Sequence, residues 1–263
     1  MSQTATLSKI APLFNPFLLE NIFEIRWELQ GDQQSGRFKD PAYPMMYGRI
    51  YEYLKDDFPL IEDLPSVQVH PDASPYTVRH RLRKSRDSLP LIQIGPGIVT
   101  VNDIKGTSWP EFKSLVLRLV DLVDTLYPKT GKPLNFIKAE LRSINGIPFK
   151  SSDPLTFLSE KLHINIGLPN DILQTPRTPS NIGLNLAYPL TQPEGNLLMS
   201  VNLGQMESSE AYILQSVVQS AGEATPQNAS EFESWVVQAN EVSHQSIESL
   251  CKGLLIQQVK GGL

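Results

Sequence analysis

The sequence predicts an α+β fold in which a largely antiparallel sheet carries long amphipathic helices packed on one face. Three observations predict it. Several segments of the 263-residue chain alternate apolar and polar residues with the period of a half-buried strand. Two long segments repeat apolar residues at helical spacing. Neighbouring strand segments are joined by short turns, which suit antiparallel pairing and are too short for parallel crossovers.

The first strand is expected over Ile22 to Leu29, where Phe23, Ile25, Trp27 and Leu29 alternate with Glu24, Arg26 and Glu28. Gln30 to Lys39 is polar, contains Gly31 and Gly36, and reads as a loop. Asp40 as N-cap and Pro41 at the first helical position open a helix to Asp57, with Tyr43, Met46, Tyr47, Ile50, Tyr51 and Leu54 on one stripe. Gly48 inside that helix costs about 1 kcal/mol against alanine, and close backbone packing is the expected reason for it. Phe58 to Pro75 reads as an irregular, proline-rich connection.

Tyr76 to Lys84 alternates again, with Tyr76, Val78, His80 and Leu82 on one side and Thr77, Arg79, Arg81 and Arg83 on the other. Leu91 to Ile94 and Ile98 to Asn102 flank Gly95-Pro96-Gly97 and predict a hairpin. Ser108 and Glu111 form a capping box for a helix over Trp109 to Tyr127. A strand over Asn135 to Asn145 and a short helix from Asp153-Pro154 to about Leu162 follow. Ile164 to Ser180 is a long proline-containing connection, of a length usually functional or poorly ordered. Strands are then expected over Ile182 to Tyr188, Leu197 to Leu203 and Ala211 to Ser220. A helix over Glu231 to Gln258, capped by Ser230 and Glu233, closes the chain. Strands plus one long helix recur in each half, so the chain divides into residues 1–149 and 150–263 packed as one unit, with the break near Lys150 to Asp153. The two half-sequences do not align well enough to establish a duplication.

Composition narrows function by exclusion. Apolar residues at 40% and charged residues at 19% are ordinary globular usage, which argues against wholesale disorder and coiled coil. A net charge of −5 gives no global attraction to nucleic acid or anionic lipid. No stretch approaches the ~20 apolar residues of a membrane span, and Met1 to Ile10 lacks the apolar run of a signal peptide. The single cysteine, Cys251, cannot form an internal bridge, so a cytoplasmic, reducing location is expected.

Each chemical constellation has a structural alternative. There is no Gly-x-Ser-x-Gly elbow, and Cys251 lies on the apolar stripe of the last helix as a packing residue. Gly95-Pro96-Gly97 lacks the third glycine and following helix of a phosphate loop, which leaves a hairpin turn. The histidines His70, His80, His163 and His244 are scattered; Glu241 and His244 share one helical turn without a second pair, so no metal and no cofactor is expected. Glu24 and Glu28 flank Arg26 on one strand face, an arrangement that suits a cross-strand ion network better than an acid/base pair. Glu24, Arg26, Asn102 and Asp103 are the candidate pocket residues should the chain be an enzyme. The most distinctive charged feature is five cations within eight residues, Arg79, Arg81, Arg83, Lys84 and Arg86, which form a candidate partner or nucleic-acid surface unless Glu24, Glu28 or Glu140 neutralise them.

Phe23-Glu24-Ile25-Arg26-Trp27, Asp40-Pro41-Ala42-Tyr43-Pro44, Tyr47-Gly48-Arg49-Ile50-Tyr51, and Gln93-Ile94-Gly95-Pro96-Gly97 running into Thr100-Val101-Asn102-Asp103 together resemble a sporadically distributed family of uncharacterised bacterial proteins. The resemblance covers most of the chain and extends to the terminal helix around Trp235, His244 and Leu250. It implies a family but brings no activity, cofactor or ligand set. Patchy distribution suits a mobile or defence-associated gene, which is an association and not a mechanism. The expected function is therefore a non-enzymatic binding or assembly protein that engages a protein partner or its own copy, with a nucleic-acid-associated subunit as the alternative and an enzyme with an unfamiliar site as the third reading.

Overall fold

The computed structural model describes residues 17–32, 37–104, 107–128, 134–149, 153–167, 179, 181–206 and 208–261. The expectations for the N-terminal ten residues, and parts of three others, lie outside the described residues: 33–36 of the expected loop, 150–152 of the expected boundary, and 168–178 and 180 of the long connection.

The alternation over Phe23 to Trp27 produces strand β1 (Leu18–Trp27), with Phe23, Ile25 and Trp27 fully buried and Glu24 and Arg26 on the opposite face. The polar stretch after it is not only loop, because β2 (Gln30–Asp32) and β3 (Arg37–Lys39) pair in a small separate ladder. Helix α1 (Tyr43–Leu54) begins later than Asp40-Pro41 would suggest. Ala42 occupies its N-cap position without a side-chain bond, and Pro44 supplies the proline of its first turn. Asp40 is drawn away from capping by three donors from elsewhere in the fold. It accepts from Trp27 Nε1 (3.0 Å), the Gly97 amide (3.0 Å) and the Tyr127 hydroxyl (3.1 Å).

The proline-rich connection contains β4 (Leu60–Asp63), which the sequence reading missed. Then come β5 (His80–Arg83), β6 (Leu91–Gly95) and β7 (Ile98–Ile104), the last two joined by the expected hairpin, with Gly97 at φ +75°, a conformation that favours glycine. Helix α2 (Trp109–Leu126) has the expected capping box. Strand β8 (Phe136–Pro148), helix α3 (Pro154–Leu162), strands β9 (Gly183–Thr191), β10 (Glu194–Met206) and β11 (Ser209–Ala221), and helix α4 (Ala229–Gly261) complete the chain. The cap of α4 lies two residues earlier than Ser230 and Glu233. Asn228 Oδ1 accepts from the Glu231 amide (3.1 Å), and Glu231 carboxylate oxygens accept from Asn228 Nδ2 (2.5 Å) and the Gln227 amide (2.7 Å). Glu233 instead reaches Lys113 of α2 at 3.0 Å.

Nine strands form one sheet in the order β4-β5-β6-β7-β1-β8-β11-β10-β9, and every neighbouring pair is antiparallel. Outward from the central β1–β8 seam the order is symmetric, β7-β6-β5 on one side and β11-β10-β9 on the other, with β4 added beyond β5. Each half runs strand, short helix, antiparallel meander, long helix, with the β2–β3 ladder and β4 additional in the first. The last strand of each half returns beside its opening strand. In this order β8 stands to β9, β10 and β11 as β1 stands to β5, β6 and β7.

All four helices pack on one face, with α1 beside α2, α2 beside α4 and α4 beside α3. The main core draws on both halves: Phe23 of β1 meets Trp235 of α4 edge-on at 6.3 Å between ring centres, and Phe136 meets Phe232 at 5.1 Å. Burying each such side chain contributes about 1.5–3 kcal/mol. A second cluster beneath α3 joins Phe149, Leu158, Leu162, Tyr212 and Cys251.

Candidate functional site

Period-2 alternation that sends Phe23, Ile25 and Trp27 under the helices sends polar residues to the other face, where none of the four helices lies. At the seam Glu24 stands directly opposite Glu140. On one side the same transverse row continues through Thr100, Gln93 and Arg81 to Glu62. On the other it passes through Gln219 to Asn196. A polar row thus crosses eight of the nine strands.

Two carboxylates directly opposite one another repel. Three cations offset this: Arg26 Nε donates to Glu24 (2.7 Å), Lys138 Nζ lies 2.6 Å from Glu140 and 3.6 Å from Glu24, and Arg142 donates twice to Glu140 (2.6 and 3.2 Å). Burial by itself would raise the Glu140 carboxyl, but Lys138 and Arg142 outweigh it and hold the group below the usual carboxylate range. The two cations thus favour the charged form of Glu140 and tie it into the ion network. The expected ion network is present with a different membership: Lys138, Glu140 and Arg142 join Glu24 and Arg26, whereas Glu28 accepts from Asn135 (3.0 Å).

Of the four candidate pocket residues, three share this face. Asn102 Oδ1 accepts from Gln93 (3.0 Å) and Thr100 (2.9 Å), and its amide nitrogen donates to Glu20 (3.0 Å). Asp103, one residue on, points to the helix side, 4% exposed, where it accepts from Thr107 (3.0 Å) and burial raises its carboxyl. Strand alternation separates it from the other three, so the four do not converge.

The arginine stripe is on the helix-free face as its spacing predicts, but the structure draws in two of its members. Arg79, 5% exposed, donates to the Val67 carbonyl (2.6 Å) in the 3-10 turn after β4, and Arg83, 9% exposed, donates to Glu62 (3.1 Å) and the Ser88 carbonyl (2.7 Å). Arg81 donates to Glu62 at 3.3 Å. The neutralising carboxylate is therefore Glu62 of β4, not Glu24, Glu28 or Glu140. Lys84 and Arg86 are exposed, with Lys84 over the Phe58 ring at 5.8 Å.

On the helix side the sequence reading missed a stacked group. His80, opposite in parity to the arginines, lies 4.1 Å from the Tyr47 ring centre and nearly parallel to it, while its Nδ1 contacts Asp63 at 2.9 Å. Tyr43 stacks beside both. The signal was legible in the stripe of α1 tyrosines and the parity of His80, but Asp63 belongs to the unrecognised β4.

Cys251 is buried in the second core, and burial pushes its thiol up to about 12. His244 Nδ1 lies 3.8 Å from Glu248, and Glu241 accepts from Gln245 (3.1 Å). Among the described residues no three His, Cys, Asp or Glu side chains converge as a metal site, and no helix is long and apolar enough to cross a membrane. Gly48 faces open space and not a packed backbone, contrary to expectation. Compared with known proteins, the chain matches no family model and no curated protein sequence.

Proposed function

We propose that the chain is a non-enzymatic binding protein that engages a protein partner through the helix-free face of its sheet. The observation that carries this reading is the polar row across eight strands, whose charges are matched within the sheet. The face is open toward β10, where Asn196, Leu198 and Asn202 are exposed, whereas Thr100 and Glu140 at its centre are buried, so a partner would sit on the β10 side. Glutamine, asparagine and paired charges suit the mixed polarity of a non-obligate contact. Nucleic acid draws less support, because Arg79 and Arg83 are buried and Arg26, Lys138 and Arg142 each lie against a glutamate. The lone buried Cys251 supports a reducing, cytoplasmic location. Resemblance to a sporadic bacterial family supports a role in defence or toxin control.

The test uses a partner co-purified from cells and the exposed positions Asn196 and Asn202 on this face. Lysine at both should weaken partner affinity at least tenfold with the thermal midpoint unchanged, while Gln238→Lys, half-buried on α4 on the helix side of the sheet, should leave partner affinity unaltered. Equal affinity in all three proteins contradicts the reading. Salt-sensitive binding to an RNA or DNA duplex that is lost in the Asn196/Asn202 double variant would favour nucleic acid in place of protein.

A further inference from the structure

We infer that β9 is an interface strand on which a second copy of this chain adds its own β9 antiparallel, joining two nine-stranded sheets across a two-fold axis. This site is the sheet edge, separate from the face proposed above. β9 pairs with β10 along one side, and among the described residues nothing pairs with its other side. Every second residue of such an edge offers an open backbone donor and acceptor.

The two edges of the sheet differ in the way that matters for association. At the far edge β4 is four residues long and carries Glu62 and Asp63, the short, charged strand that discourages further pairing. β9 is nine residues long, Gly-Leu-Asn-Leu-Ala-Tyr-Pro-Leu-Thr, without a single charge. Pro189 removes one donor near its end and leaves the run from Gly183 to Tyr188 intact. Leu186 and Tyr188, on the helix side of the strand, are large apolar groups left 46% and 47% exposed.

The symmetry of the fold points to the occupant. β5 holds the place in the first half that β9 holds in the second, and β5 is covered on its outer side by antiparallel β4. A two-fold-related β9 supplies the corresponding antiparallel strand. An uncharged strand meets no repulsion from a copy of itself and gives a charged partner nothing to pair with. With Ala187 on the axis, Leu186 faces the partner subunit's Tyr188 and Leu184 faces the partner subunit's Leu190, so the whole apolar row is covered at once.

Light scattering across a concentration series is the test, on the full chain. The wild type should be a dimer. Leu186→Lys and Tyr188→Lys, at exposed positions where folding is expected to survive and circular dichroism verifies it, should raise the dissociation constant at least tenfold. In a Cys251→Ser background, Ala187→Cys should form a symmetric disulfide dimer on mild oxidation. A wild type that stays monomeric at every concentration overturns the inference, and so does a dimer indifferent to both lysines and unlinked by Ala187→Cys. The Asn196/Asn202 double variant should still dimerise, so loss of partner binding and loss of the dimer are separate results.

Discussion

Asp40 gathers donors from β1, the β6–β7 hairpin and the residue that ends α2 onto one buried carboxylate. Asp40→Ala strands all three, and each unsatisfied buried donor costs about 1–3 kcal/mol. Chemical denaturation should show a loss of about 3 kcal/mol or more, partly recovered by Asp40→Asn; a loss under 1 kcal/mol would contradict the role. In the sequence this residue looks like a helix cap, because Asp-Pro is the local signal for one and its three partners are distant in the chain. Glu140 has a signature in pH. Its folded carboxyl is held below the ordinary glutamate value, so its stabilisation is complete above about pH 4.5 and fades as pH falls through the folded value. Glu140→Gln should flatten the acid limb of a stability–pH curve. Asp103 works in the opposite sense: burial raises its carboxyl, and its contribution weakens as pH rises through the raised value. Asp103→Asn should therefore not flatten that limb.

Among the elements, long periodic segments were legible and short ones were not. β1, α2, β8 and α4 each bury one face over many residues, so their alternation or stripe is written in the sequence. β4 is an edge strand of four residues, mostly exposed, and has no alternation to read. Its loss from the sequence reading also hid Glu62 and Asp63, the partners of the arginine stripe and of His80. The cap of α4 was misplaced because Ser230-x-x-Glu233 and Asn228-x-x-Glu231 both fit the pattern, and only Lys113 on a neighbouring helix decides where Glu233 goes. Gly48 sits in α1 with open space where a Cβ would be. Gly48→Ala should stabilise the protein by up to about 1 kcal/mol, read as a raised thermal midpoint; destabilisation would mean that the position serves a contact.

For the whole molecule, strand order was the part that local sequence could not supply. Alternation tells which residues share a face, and it does not tell that β1 and β8, more than a hundred residues apart, form the central seam. Once they pair, Glu24 and Glu140 fall opposite one another and the charged cluster follows from the register. The seam and the shared core of Phe23, Trp235, Phe136 and Phe232 tie the halves together. Calorimetry should show one cooperative transition, and two separable transitions would contradict the shared core. The reading of the helix-free face as the contact surface is tested most directly by photo-crosslinking in cells, with a photoreactive residue placed in turn at Asn196 and Asn202 on that face and at Gln238 on the helix side. The account predicts one defined protein adduct from both asparagine positions and none from Gln238; adducts from Gln238 alone, or none from the sheet face, would contradict it.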